Sequence, residues 1–332
     1  MFWLLRLLPC SFGKLRGAYA VETRSFSDFD EFAEAVSSFD GRIVLTHPSI
    51  PKWSISHLDL DGVHIQTGVL GSGNIVEGQS WDGYMVYLPI PGAGKKILNG
   101  SEIGKDSLLI FEPCSEISLC STSEHNWCSI FVPADVWTRL GYPSKLSLGG
   151  EKGACQVTRP NRQLYMHARS LVRDIQLAAT TCPQFETTPA MKIAAAEGAK
   201  LVFRIVSESH IDESVETAGR PRISRKKIIR RCDRLLDKSE DRHVSVAELT
   251  AAAGVSERTL ETAFEEYFEE TPAHYLQLRR IKLIHSALRA AKVGEKSVTE
   301  ILADHGEWEF GRFAGNYRRL YGESPSQTLQ AP

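Results

Sequence analysis

The sequence is short of the features that announce an enzyme, a secreted scaffold or a membrane protein. No stretch reaches the roughly 18 apolar residues that a membrane-spanning helix needs. The seven cysteines are scattered, odd in number and without CxxC or zinc spacing. That argues against a disulfide framework and for reduced thiols. No His-x-His occurs, so the usual strand-borne metal ligand pair is missing. His57 and His64, with Glu77 downstream, are the only near pair, and a hydrogen-bonded structural pair is the simpler reading. Walker, GxSxG and HExxH patterns are also missing. "GSGNIVEG" has two close glycines followed by a strand, which reads as a hairpin turn rather than a phosphate cradle. No catalytic residue, metal ligand or cofactor site is therefore expected.

What is present is an ordinary globular composition, 42% hydrophobic and 24% charged. At 332 residues the chain has room for about two domains. The net charge of −2 hides an asymmetry. Residues 219–332 carry 20 Lys/Arg against 17 Asp/Glu, and the remainder 19 against 24. A polyanionic partner would meet the C-terminal third. The opening "MFWLLRLLPCSFGKLRGAYA" is a poor signal peptide, because its apolar run is short, is broken by Arg6 and is not preceded by basic residues. Residues 1–22 are read as a disordered tail or a start placed too far upstream, and the protein as cytoplasmic.

Three regions follow. Residues 23–150 alternate short apolar stretches ("GRIVL", "GVHIQTGVL", "YMVYLPI", "SLLIF", "CSIFVP") with Gly, Ser, Asn and Pro clusters, the pattern of a β-sandwich or small barrel. One helix is expected ahead of it, in "SFSDFDEFAEAVSSF", with Phe29, Phe32, Ala33 and Val36 on one face. Residues 155–212 form two amphipathic helices separated by "TTCPQFETTP". The polar segment 213–224 reads as a flexible linker, and 225–332 is helical throughout.

The last hundred residues contain a repeat. Ser245, Val246, Glu248, Leu249 and Gly254 recur 52 residues later as Ser297, Val298, Glu300, Ile301 and Gly306. Leu260, Phe264, Phe268 and Pro272 recur 53 later as Phe313, Tyr317, Tyr321 and Pro325, so one residue has been added in the turn. Ser245–Glu248 and Ser297–Glu300 have capping-box spacing. Gly254 and Gly306 sit where a helix ends at positive φ. Ser256 caps the helix that follows. Each unit is a helix-turn-helix. Between them "PAHYLQLRRIKLIHSALRAAK" is a helix of roughly 27 Å at 1.5 Å per residue. That length could set two recognition helices about one DNA turn, roughly 34 Å, apart.

The arrangement "AELTAAAGVSERTL…F…TP…YLQLRRI…SVTEILADHG…GRF…YRRLYGESP" resembles the DNA-binding region of the AraC/XylS family of bacterial transcription regulators, over residues 240–330. The N-terminal region is similar, more loosely, to the cupin-like β-barrel sensor or dimerisation domains attached to such regulators. The resemblance implies an α+β chain with a β-barrel, a helical dimerisation segment and an all-α reading domain. It implies a homodimer on a double-stranded operator, with RNA polymerase as a further partner and a small-molecule effector. Two positions depart from the family pattern. Glu307 stands where an aromatic is usual, so Trp308 is expected to fill the space and Glu307 to turn outward. His305 replaces a small or apolar residue.

By the same resemblance, bases would be read by Arg258, Glu261 and Thr262 on the first recognition helix. On the second they would be read by Phe310, Gly311, Arg312, Gly315 and Asn316. Arg can fork onto guanine, Glu can accept from cytosine and Asn can pair with adenine. Gly311 and Gly315 would each cost roughly 1 kcal/mol in a helix. A groove-facing side would justify them, and tight helix crossing is the alternative. Arg279, Arg280, Lys282, Arg318 and Arg319 are the expected phosphate contacts. The cluster "RPRISRKKIIRR" reads equally as a phosphate track or a solvated face. The first recognition helix holds Glu257, Glu261, Glu265, Glu266, Glu269 and Glu270, which suggests shallow docking. Trp53, Trp81, Tyr84, Tyr87 and Trp127 are candidates for an effector pocket. Two other readings stay open: a barrel enzyme or metal-binding cupin whose helices serve assembly, and a non-specific DNA binder. Effector, operator and sign of regulation are not legible.

Overall fold

The computed structural model describes residues 21–47, 53–90, 94–104, 106–143, 146, 155–182, 185–208, 223–239, 243–292 and 294–330. The expected tail (1–20 of it), most of the expected linker (213–222) and the first three residues of the basic cluster lie outside them.

The first elements among the described residues are β1 (Glu22–Phe26) and α1 (Phe29–Ala35), so a strand precedes the expected helix. Asp28 caps α1, accepting from the Asp30 and Glu31 N–H groups at 2.9 and 3.0 Å. Ten strands follow: β2 (Phe39–Leu45), β3 (Trp53–Leu60), β4 (Val63–Leu70), β5 (Asn74–Ser80), β6 (Gly83–Ile90), β7 (Lys96–Leu98), β8 (Ser101–Glu102), β9 (Leu108–Phe111), β10 (Glu116–Ser121) and β11 (His125–Pro133). Then come α2 (Ala134–Arg139) and β12 (Cys155–Thr158). They form two antiparallel sheets, in the orders β1-β3-β4-β11-β6-β9-β12 and β2-β5-β10-β7-β8. Among the described residues no strand pairing joins the two, so they stack as an open sandwich and not as a closed barrel.

The larger sheet is covered on both faces, and β6 shows why its sequence is apolar almost throughout. Tyr84, Val86 and Leu88 enter a core shared with α3 (Arg162–Thr181) and α4 (Pro189–Glu208). Met85 and Tyr87 enter the core between the sheets, with Ile117, Leu119 and Trp127. A strand buried on both sides loses the alternation of a half-exposed one. The outer face of the smaller sheet is covered in turn, its Ile75, Ile97 and Cys120 packing with C-terminal helices.

Those helices are α5 (Arg225–Asp237), α6 (Val246–Ala253), α7 (Glu257–Phe268), α8 (Pro272–Ala290), α9 (Val298–Asp304), α10 (Phe310–Tyr321) and α11 (Pro325–Gln330). The repeat read from sequence is a structural repeat. Both capping boxes form, with each Ser side chain on the Glu N–H and each Glu carboxylate on the Ser N–H. Gly254 and Gly306 adopt φ +67° and +69°. Ser256 caps α7, and Thr271 caps α8 ahead of its Pro272. Leu260, Phe264, Phe268, Phe313 and Tyr317 are buried, as the stripe predicted. The second turn is longer, spanning 305–309 against 254–256 in the first: one residue is the addition and one comes from α9 ending a position earlier than α6.

Candidate nucleic-acid interface

Gly311 and Gly315 lie on the exposed side of α10, and a Cβ built on either meets nothing within 4 Å. Among the described residues no helix crosses there, so tight packing with them does not account for the glycines. Arg312 stands beside them, exposed, its Nη1 3.0 Å from the Glu309 carboxylate three residues earlier. Asn316 and Phe310 are half-buried. A cleft of about 470 Å³ opens between the two helix-turn-helix units. Arg312, Asn316 and Trp308 line it from the second unit, Ser245 from the first, and Gln277 and Arg280 from α8.

On α7, Arg258 and Glu261 are exposed. Thr262 is half-buried, and its hydroxyl donates to the Arg258 carbonyl at 2.9 Å. Part of the acidity of α7 is spent elsewhere. Glu266 pairs with Arg225 at 2.9 Å, Glu269 with Lys95 at 3.0 Å and Glu270 with His274 at 2.5 Å.

The second turn reverses an expectation. Glu307 is tucked in and Trp308 is 72% exposed. Glu307 is held there by its backbone N–H on the Leu302 carbonyl at 2.9 Å. Its carboxylate accepts from the Glu309 N–H at 2.9 Å and lies 3.4 Å from Arg280. A half-buried carboxylate so partnered avoids the desolvation penalty that made the outward position look preferable. His305 folds back, its Nδ1 2.8 Å from the Ile301 carbonyl.

The five expected phosphate contacts divide. Arg318 and Arg319 are exposed at the end of α10, and Arg280 faces the cleft. Arg279 does not fit: it is buried, with Nη2 donating to the Leu236 carbonyl at 3.0 Å. Lys282 does not fit either, since its Nζ is 2.8 Å from Asp30 of α1. The reason is helical geometry. Lys282 lies about 200° around α8 from Arg280, so the two cannot serve one partner.

The face of α8 that carries Lys282 forms a polar seam with the N-terminal sandwich. Ser286 donates to Asp30 at 2.6 Å, Arg289 pairs with Glu31 at 2.6 Å, and Arg289 lies 3.5 Å from Asp28. His285 is buried, with Nε2 3.2 Å from Asp28 Oδ2 and Nδ1 2.6 Å from the Tyr317 hydroxyl. Burial works to raise the Asp28 pKa, but the hydrogen bonds from His285 and the Glu31 N–H, with the charge of Arg289, leave it below 3.8. Further along the seam Tyr275 donates to Glu77 Oε2 at 2.6 Å, and Arg42 bonds the same carboxylate at 3.1 Å and Asp237 at 2.9 Å. Asp233, 3.6 Å from Arg42, has its pKa pushed well up by burial and by the Glu77 charge. The contacts that cross this seam were not legible in the sequence, since their partners are some 200 residues or more apart.

The proposed effector aromatics do not converge. Trp53 packs on Phe29 at 5.6 Å, Tyr84 on Trp137 at 4.3 Å and Tyr87 on Trp127 at 5.9 Å, in three different clusters. Trp81 is at the surface, its Nε1 bonded to Asp40 at 3.1 Å. His57 and His64 stack at 5.6 Å, while Glu77 is engaged in the seam.

Residues 249–331, which hold both recognition helices, match the model of a family described as "Helix-turn-helix domain". The chain is 30% identical over 159 residues to the XylDLEGF operon transcriptional activator 1 of Pseudomonas putida. The C-terminal domain is of the AraC/XylS type. The Pseudomonas match covers 47% of this chain and 46% of the activator, so the chain spans about half the length of the curated relatives it matches. The probable thc operon regulatory protein of Rhodococcus erythropolis is 32% identical over 103 residues, 31% of each chain. A probable AraC family regulator from Rhodopseudomonas palustris, a solved structure, is 28% identical over 31% of this chain and 94% of its own, at a TM-score of 0.29. The AraC-like activator CuxR covers 79% of this chain and 86% of its own at 13% identity and a TM-score of 0.33. Overlays at that level carry nothing further. The family model and the curated relatives place the helix-turn-helix domain beside those of transcription regulators.

Proposed function

We propose that the protein is a sequence-specific DNA-binding regulator that inserts α7 and α10 into successive major-groove segments of a duplex. The observation that carries this is the open face of α10, where two glycines with nothing packed on them flank an exposed arginine. A helix accepts two such glycines at a cost of roughly 1 kcal/mol each only where a close approach repays it. Arg312, Gly311, Gly315, Phe310 and Asn316 would read bases, with Arg258, Glu261 and Thr262 at the first unit. Arg280, Arg318 and Arg319 would hold phosphates.

Residues 225–332 would be the reading domain, and the sandwich at 23–150, cupin-like in its stacked sheets, the part that modulates it. Of the segment 155–212, expected to be helical, the first four residues form β12, and its helices α3 and α4 would serve dimerisation; Met166 and Leu177 on α3 are exposed there. The Pseudomonas relative is named as an activator, which makes activation the sense of regulation we propose, with RNA polymerase as partner. A small-molecule effector stays part of the proposal, without a site among the five aromatics. No helix among the described residues is long and apolar enough to cross a membrane, and a cytoplasmic location is proposed.

The test is selection from random duplex DNA with the full chain at physiological salt. Two short elements about one turn, roughly 34 Å, apart are the expected result. Binding without enrichment would replace sequence-specific reading with non-specific binding. No binding at all would remove DNA from the account.

A further inference from the structure

Helix α8 is gripped from two sides. Its apolar residues Leu278, Ile281, Ile284 and Leu288 join the cluster that holds the second helix-turn-helix. Lys282, His285, Ser286 and Arg289 recur at i, i+3, i+4 and i+7 on another face, and that face meets the first turn of α1. We propose that Asp28 and His285 are positioning residues for the second recognition helix. Through them the N-terminal sandwich sets how α10 stands relative to α7, and so which spacing of DNA half-elements the protein prefers. This rests on the duplex-reading function proposed above.

The sandwich holds the first unit at its own point. Cys120 Sγ donates to the Phe268 carbonyl at 3.2 Å, and Lys95 pairs with Glu269 at 3.0 Å, both at the end of α7. A Cβ on Gly100 would fall 2.6 Å from the Tyr267 ring, so the backbone there lies directly against α7. The second unit is held through His285, 1% exposed and stacked on Tyr321 at 3.9 Å and 6°.

The contact runs as one hydrogen-bonded chain. Thr328 Oγ1 donates to Glu323 at 2.5 Å and lies 2.7 Å from the Tyr317 hydroxyl, which lies 2.6 Å from His285 Nδ1. A carboxylate only accepts, so Nε2 donates to Asp28. Tyr317 sits on α10 about 200° round from Gly315, behind the proposed reading face. Asp28 spends one oxygen on capping α1 and the other on His285, which ties the contact to a rigid helix end. Two anchors on one body fix the separation of the two recognition helices more tightly than α8 alone. The N-terminal sandwich accordingly acts on spacing and leaves the cleft-facing side of α8 free.

Asp28→Ser separates the two roles of the carboxylate. Serine caps a helix as well as aspartate does, so α1 persists, but it is too short to reach His285. The measurement uses the full chain, with the half-elements enriched on the wild type placed at a series of separations. The wild type should prefer one separation. Asp28→Ser should bind a lone first element as the wild type does, while its preference for the best separation over one base pair longer falls about threefold, part of what a hydrogen bond to a charged group is worth. An unchanged spacing profile overturns the proposal. If Asp28→Ser weakens every duplex alike, Asp28→Asn, which keeps cap and side-chain size, is read by the same profile and decides. A wild type that enriches no elements would sink the duplex reading itself, and positioning with it. Good binding with an unaltered profile sinks positioning alone.

Discussion

The two helix-turn-helix units share one grammar and face the world differently. Each opens on a Ser–Glu capping box and turns at a left-handed glycine. Yet the first passes through a tight three-residue turn into an acid-rich helix anchored on the smaller sheet. The second passes through a longer turn, braced by Glu307 and Arg280, into a helix with a bare glycine face. Helix ends obey local chemistry and so repeat. Surfaces obey their partners and so diverge.

The largest expected effect breaks the first unit. Phe268 is 1% exposed at the heart of its stripe, so Phe268→Ala should cost about 3–5 kcal/mol in denaturant unfolding. Gly315→Leu sharpens the contrast at the second. With nothing near its Cβ position, the change should raise helix stability by up to about 1 kcal/mol while abolishing duplex binding. Lower stability in thermal unfolding would return the glycine to a packing role. Arg312→Ala should cost about 1–3 kcal/mol on the selected duplex and relax one base position; uniform weakening on all sequences would make it a phosphate contact. The smallest effect separates two cations. Arg318→Ala should reduce the salt slope of binding by about 0.9, whereas Lys282→Ala, whose partner is Asp30, should leave that slope unchanged.

What could be read from the sequence follows from range. Capping boxes, glycine turns and the Leu260–Phe264–Phe268 stripe act over a few residues, and all three stood in the structure where the sequence put them. Strands such as "YMVYLPI" were legible as strands, but not which sheet would take them or that the sheets would stay open. The exposure of Gly311, Arg312 and Gly315 on α10 was legible, because it follows from helical phase. The reading failed at Lys282 and Arg279, whose partners come from Asp30 and Leu236. It failed again at Glu307, because a single arginine from α8 and one backbone N–H changed the balance for a carboxylate. The five aromatics failed as a group, since residue type says nothing about which side of a sheet a ring will take.

Helix α8 deserves to be seen as crowded ground. Tyr275, Lys282 and His285 answer to the sandwich, Leu278, Ile284 and Leu288 to the helical core, and Gln277 and Arg280 to the cleft. Few of its positions have a single master. A substitution there cannot be absorbed by one neighbour relaxing, because the same turn of helix is constrained from other directions. Saturation mutagenesis should therefore find its tolerance low along nearly the whole length of α8.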